Sequence, residues 1–207
     1  MPPRKGDDKA SKSGDVVSGA DWSEREIDGE SHMLVSFVDL DLTEATIRGA
    51  TFTECTFKRS KFNASKIDDS AFINCTFVNC NFFDVAFTQC KLVGSKFERC
   101  TYEIMRVVGG NWSVVALPGA DLRSATFKDT RMREADLTGA NCGGSSLRDV
   151  DLAGAMLDKA RFNRCDVRGS DLASLDPTMV ELRGMIVSIE QAVLIAESLG
   201  LDVRPDD

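Results

Sequence analysis

One histidine in 207 residues leaves little room for proton-transfer or metal chemistry. Without a second imidazole, Ser-His-Asp triads, His-based zinc sites and His acid–base pairs are hard to build. No Gly-x-x-x-x-Gly-Lys, Gly-x-Ser-x-Gly or His-Glu-x-x-His sequence occurs, so phosphate-loop, serine-hydrolase and zinc-protease chemistry lack their residues. No run of about 18 apolar residues exists to span a membrane as a helix. Met1 to Gly14 has no apolar core of the secretory-leader kind. The seven cysteines include no Cys-x-x-Cys pair, which argues against zinc ribbons and dithiol redox motifs. The expectation is a cytoplasmic protein with no catalytic residue, cofactor, metal or membrane contact.

What the chain does have is a period. From Ile27 to Leu172 every fifth residue is apolar, through Leu42, Phe57, Phe77, Phe97, Leu117, Leu137 and Leu157 among others, His32 being the exception. Two places before many of these stands a small residue, as at Ala45, Cys55, Ser65, Cys75, Ala125, Ala140 and Cys165. A spacing of five matches neither the 3.6 of a helix nor the 2 of a strand. It belongs to a solenoid, in which each unit buries its apolar side chain against copies above and below. If four faces close one turn, residues twenty apart stack in columns, and the small residue fits beside the large one near the axis. Six cysteines (Cys55, Cys75, Cys80, Cys90, Cys100 and Cys165) fall in the small slot and Cys142 in the large one, which reads them as buried thiols. At about 4.8 Å per coil, the periodic segment makes a rod on the order of 36 Å long.

The pattern resembles the pentapeptide-repeat family, on units such as Ala120-Asp121-Leu122-Arg123-Ser124, Ala135-Asp136-Leu137-Thr138-Gly139 and Ser170-Asp171-Leu172. That resemblance implies an all-β solenoid, a right-handed quadrilateral β-helix, here followed by a short C-terminal α-helix. One stretch, Tyr102 to Gly119, keeps the frame while departing from the consensus at Met105, Gly109, Gly110, Trp112 and Pro118. A change of turn geometry between Phe-rich and Leu-rich columns accounts for it, and a ligand groove there would require a cavity.

The ends differ from the middle. Residues 1–21 are expected to be a disordered tail, 22–175 the solenoid, and 176–207 a cap and dimerisation helix. Ser188 with Gln191 makes a capping box, and Gly200 supplies a stop. The apolar residues between them cover more than one face, so packing on the last coil leaves a surplus. Ile189, Val193, Leu194, Ala196, Leu199 and Leu201 are therefore candidates for a two-fold homodimer contact, with a monomeric cap as the alternative. Residues 33–170 carry 17 acidic and 18 basic side chains, whereas 171–207 carry eight acids against Arg183 and Arg204. An acidic dimer centre would attract a basic partner.

The tail segments Leu172-Ala173-Ser174-Leu175-Asp176-Pro177, Leu182-Arg183-Gly184 and Gln191-Ala192-Val193 are similar to those of a mycobacterial fluoroquinolone-resistance member of the family. The resemblance implies a DNA-mimicking dimer that binds DNA gyrase at the ATPase region of its B subunit, without touching nucleic acid itself. Asp136, Asp151, Asp166, Asp171, Asp176, Glu181, Glu190 and Glu197 are the gyrase-facing candidates. Basic residues on the rod, including Lys58, Arg131 and Arg168, keep open a general protein-interaction scaffold with another partner.

Overall fold

The structure, a computed structural model, describes residues 14–204. Backbone pairing is parallel throughout and offset by twenty residues, as in Phe37↔Phe57, Phe57↔Phe77 and Phe77↔Phe97. Each twenty-residue coil therefore has four pentapeptide faces, and the protein is a right-handed quadrilateral β-helix with one C-terminal helix. Face one holds the column Val17 to Leu157, face two Trp22 to Leu182, face three Ile27 to Val187 and face four His32 to Leu172. Three faces form parallel sheets of five, seven and three short strands, whereas face two is held by isolated bridges such as Asp41↔Lys61 and Lys61↔Asn81.

The period of five follows from the turn at each corner. Counting each unit from the residue before the large apolar one, the fourth residue of nearly every unit has positive φ, as in Glu44 at 58°, Asn74 at 51° and Asp129 at 51°. That conformation suits Gly, Asn and Asp and is uncommon elsewhere. Ile104 at 53° and Val114 at 58° are β-branched and so strained there. The second residue then points to the axis, where Phe37, Phe57, Phe62, Phe82 and Leu137 are at most 1 % exposed. Phe37, Phe57, Phe77 and Phe97 stack in parallel with centroids 4.8, 5.0 and 4.7 Å apart.

The fifth residue also points inward. Where it is Ser or Cys it does more than fill space: Ser65 Oγ donates to Phe62 O at 2.7 Å, Ser95 Oγ to Phe72 O at 2.8 Å, and Cys90 Sγ to Ile67 O at 3.2 Å. The slot is also roomier than the sequence suggests, since Val35, Leu40, Val85, Met105 and Val115 are buried in it.

Both solenoid boundaries move outward. Val16–Ser18, within the segment expected to be a disordered tail, is a strand paired with Ser36–Val38, and Asp21 pairs with Asp41. Val17 already lies in the five-residue frame and packs against the core, which is why the chain orders there. Residues 1–13 of that tail lie outside the described residues, as do Asp206 and Asp207. At the other end pairing runs past 175 through Arg161↔Glu181 and Asp166↔Ile186, before the helix Ile189–Ser198. His32, the exception in the series, is buried, stacked on Phe52 at 5.1 Å with Nε2 3.2 Å from a Glu30 carboxylate oxygen.

Candidate interaction surfaces

The C-terminal end is closed by one side chain. Ser188 Oγ accepts from the Gln191 N–H at 3.3 Å, and Gln191 Oε1 accepts from the Ser188 N–H at 2.8 Å. The Gln191 amide nitrogen reaches back to donate to Val167 O and Ser170 O, both at 2.8 Å, so it supplies the last coil with partners that no further coil provides. The capping box was legible in the sequence, but this second role was not, because it depends on a coil twenty residues away.

The helix leaves an apolar surface. Ala196, Leu199 and Leu201 line a cleft of about 310 Å³ together with Leu182, Met185, Val187, Ala192 and Ile195. Ile189 and Leu194 stand outside the cleft, 81 % and 55 % exposed, and Val193 is half-buried. Of the six dimer candidates the structure thus gathers three in one cleft. The others line the helix beside it. Leu182, Met185 and Val187 were missed because the contact was sought on the helix alone, whereas the last coil runs on to 187 and packs beside it.

The eight acidic candidates are spread over the four faces and the helix. Asp151 and Asp171 share face four, Asp136 and Asp176 face one, Asp166 lies on face three and Glu181 on face two, while Glu190 and Glu197 belong to the helix. Asp151 is paired with Arg133 at 2.6 Å and Asp166 with Arg168 at 2.8 Å. Among the described residues Asp171 and Asp176 accept from the nearby Ala173 and Thr178, and Glu181 accepts from Asn163 at 2.6 Å. Hydrogen bonds from Thr178 keep Asp176, and one from Ser188 keeps Glu190, below the usual carboxylate range and so charged.

A second feature lies mid-rod, where the face-two ladder opens. Asn81 pairs with Thr101 and Asp121 with Asn141, but Thr101 and Asp121 do not pair. The Asn79 and Phe82 N–H groups donate to Glu98 O and Thr101 O, whereas among the described residues the equivalent Arg99 and Tyr102 N–H groups have no acceptor in the next coil. Ile104 N–H donates instead to Ser124 Oγ at 3.1 Å. Pro118 sits in that next coil with its φ fixed, and its carbonyl is the one that the Arg99 N–H does not reach. The opening is a half-enclosed cavity of about 340 Å³ lined by Cys100, Thr101, Tyr102, Glu103, Asp121, Arg123 and Ser124. Arg123 is held in a fork by Asp121 at 2.8 and 2.7 Å. A similar opening recurs beside Pro177: among the described residues the Leu157 N–H has no acceptor, and Gly154 N–H donates to Ser174 Oγ at 2.7 Å.

Cys100 is the one thiol of the seven that is not fully buried. The thiol contact with Cys80 holds Cys100 below the usual thiol range and, with burial, pushes Cys80 up. Burial raises Cys90 and Cys165 to about 11. Among the described residues no cluster of three or more His, Cys, Asp or Glu could hold a metal ion, and no helix is long and apolar enough to cross a membrane.

Two family models match the chain, Pentapeptide repeats over residues 41–79 and Pentapeptide repeat region over residues 80–157, together more than half its length. No curated protein sequence matches it. Among solved structures it is similar to full-length QnrB1, a plasmid-mediated fluoroquinolone resistance protein, at 20% identity over 90% of this chain and 98% of that one, with a TM-score of 0.50. It is also similar to HetL, a pentapeptide repeat protein involved in heterocyst differentiation regulation from the cyanobacterium Nostoc sp. strain PCC 7120, at 18% identity over 84% of each chain, with a TM-score of 0.47. At such identities the likeness concerns the fold.

Proposed function

The chain belongs to the pentapeptide-repeat family, and from that premise we propose that it is a non-catalytic, cytoplasmic protein-binding rod. In this reading two copies join through their C-terminal helices, and the dimer mimics duplex DNA at the ATPase region of the DNA gyrase B subunit. It modulates supercoiling and gives fluoroquinolone resistance, binding neither nucleic acid nor membrane.

The observation that carries the reading is the C-terminal end, where an exposed apolar surface lies in the most acidic segment of the chain. Ile189, Leu194, Leu199 and Leu201 are each more than half exposed. Residues 171–204 carry Asp171, Asp176, Glu181, Glu190, Glu197 and Asp202 against Arg183 and Arg204, the last paired with Asp202. A two-fold axis through the apolar surface would bury it and double the carboxylates at the centre. Carboxylates there can meet the Lys and Arg side chains that otherwise hold phosphates.

A second reading, a scaffold for an unrelated partner, is favoured by the ion pairs Arg133–Asp151 and Arg168–Asp166, which neutralise two of the acids expected to do the mimicry. One experiment separates the two. Purified protein is added to gyrase supercoiling and ATPase assays beside Asp171→Lys/Asp176→Lys, with solution mass measured alongside. Inhibition that the double variant loses, with both proteins dimeric, supports the gyrase reading. A dimer with no effect on gyrase at micromolar concentration leaves the scaffold.

A further inference from the structure

The two ends of the solenoid are finished differently. At the C-terminal end the Gln191 amide donates to Val167 O and Ser170 O and so closes the last coil. At the other end the seven-stranded sheet stops at the strand Glu26–Asp28, and among the described residues nothing completes it. Inside the rod the Lys61 N–H donates to Leu40 O and the Thr46 N–H to Arg25 O, whereas the equivalent Asp21 and Glu26 N–H groups have no acceptor among the described residues. Asp41 O and Arg48 O accept from the Trp22 and Gly29 N–H groups, and among the described residues the equivalent Asp21 O and Asp28 O have no such donor. This bare edge is also acidic. Residues 14–30 carry Asp15, Asp21, Glu24, Glu26, Asp28 and Glu30 against Arg25, and Arg25 is held by Glu30 at 2.6 Å with its guanidinium over the Trp22 ring. Glu24, Glu26 and Asp28 are exposed and in no ion pair among the described residues, with Glu44, Thr46 and Arg48 one coil behind them.

An unpaired strand edge recruits another strand, and charge decides which. A second copy would set a second row of carboxylates against this one, and nucleic acid or an anionic membrane would be repelled in the same way. We propose that the edge is a docking site for an extended basic segment of a partner protein, added as one more parallel strand beside Glu26–Asp28. Parallel strands in this solenoid lie about 4.8 Å apart with side chains in register, so the first and third residues of the added strand stand over Glu26 and Asp28, where Lys or Arg fits. Its second residue turns inward, toward Val17 and Trp22, apolar side chains that the first coil leaves only partly buried, and an aliphatic residue fits there. The recognised pattern is therefore basic, aliphatic, basic. The site lies at the end of the rod away from the C-terminal helix, so it depends neither on dimerisation nor on gyrase. Charged residues also guard sheet edges against self-association. That role alone calls for no partner.

The test uses the full chain and a fluorescent peptide made of two Ala-Lys-Ile-Lys-Gly units. Anisotropy gives the affinity, and hydrogen exchange read by nuclear magnetic resonance follows the Asp21 and Glu26 amides. The expected result is saturable binding that weakens as salt is raised and slows exchange at Glu26. Glu26→Lys/Asp28→Lys weakens binding about tenfold or more, the effect of two exposed ion pairs turned into repulsions, and binds instead the peptide with Glu in place of Lys. Asp171→Lys/Asp176→Lys, at the opposite end, binds as the parent does, which keeps the result separate from the gyrase reading. No binding by the full chain, or equal binding by the Glu26→Lys/Asp28→Lys protein with its circular dichroism unchanged, overturns the proposal. So does a Glu26 amide already protected in the free protein, which would assign the edge to residues 1–13 or to a second copy.

Discussion

The Phe-rich half of the rod and the Leu-rich half use the same frame and reach different kinds of order. Between Phe37 and Phe97 the rings stack at about 4.7–5.0 Å and most faces form three-residue strands. From Leu117 onward the columns are mostly aliphatic, Phe127 and Phe162 apart, and the strands shrink to bridges, with Thr126–Lys128 and Ser146–Arg148 remaining among the described residues. Parallel aromatic stacking at the coil repeat is satisfied only in register, so ring columns reinforce the ladder that spaces them. Leucine packs well over a range of offsets and imposes no such register. The ladder opens where the ring columns end, and Phe82 to Tyr102 has already widened to 6.1 Å.

The sharpest way to break that comparison is to remove one member of each column. Phe57→Ala should cost on the order of 4–5 kcal/mol, from the lost burial, the cavity and two ring stacks. Leu137→Ala, equally buried, should cost about 3 kcal/mol. Urea unfolding followed by circular dichroism reads both. Equal losses would mean that the rings contribute area and nothing more.

The junction itself offers the next largest effect. Gly110 has φ of 83°, and a Cβ there would lie 2.1 Å from Cys90 O, in backbone that cannot step aside. Gly110→Ala should therefore cost on the order of 3 kcal/mol and lower the urea midpoint. A smaller change runs the other way. Ile104, β-branched at φ 53°, sits on the opened ladder, and Ile104→Asn relieves the strain at an exposed corner. A gain of about 1 kcal/mol is expected, and a loss would show that Ile104 packs rather than strains.

The architecture was legible because it is one-dimensional: a coil needs only its neighbours, so the period in the sequence is the contact map. Phe57 finds Phe77 by counting twenty. What counting cannot find is a contact made because a coil is missing or displaced. Gln191 caps carbonyls that a further coil would have taken, and the cavity at Cys100 lies where the Arg99 and Tyr102 N–H groups find no acceptor in the next coil. The frame runs through Pro118 unbroken, so the stretch reads as irregular while the opening beside it does not. The acidic candidates illustrate the converse: they cluster by sequence position, but a five-residue period turns each successive unit to a different face.

The smallest expected effect separates the halves by the reach of their ion pairs. In the Phe-rich half Asp39 bonds Arg59 and Asp41 bonds Lys61, each one coil away. In the Leu-rich half Arg133–Asp151 also joins two coils, but Asp121 bonds Arg123 and Asp166 bonds Arg168, two residues along the same coil. Hydrogen bonds from these arginines hold Asp39, Asp121 and Asp166 below the usual carboxylate range. A lowered folded pKa contributes stability that is present above the unfolded value of about 3.9 and is lost as pH falls through the folded one. All these pairs are exposed and screened, so the effects are small. Only the pair that spans two coils resists their separation, whereas a pair two residues apart can persist in the unfolded chain. Asp39→Asn should lower the melting temperature near neutrality and match the parent protein once pH is below the carboxylate range, while Asp121→Asn should follow the parent at every pH. Melting curves between pH 7 and pH 2 in low salt make the comparison, and equal behaviour of the two variants would show that the pairs do not tie coils together.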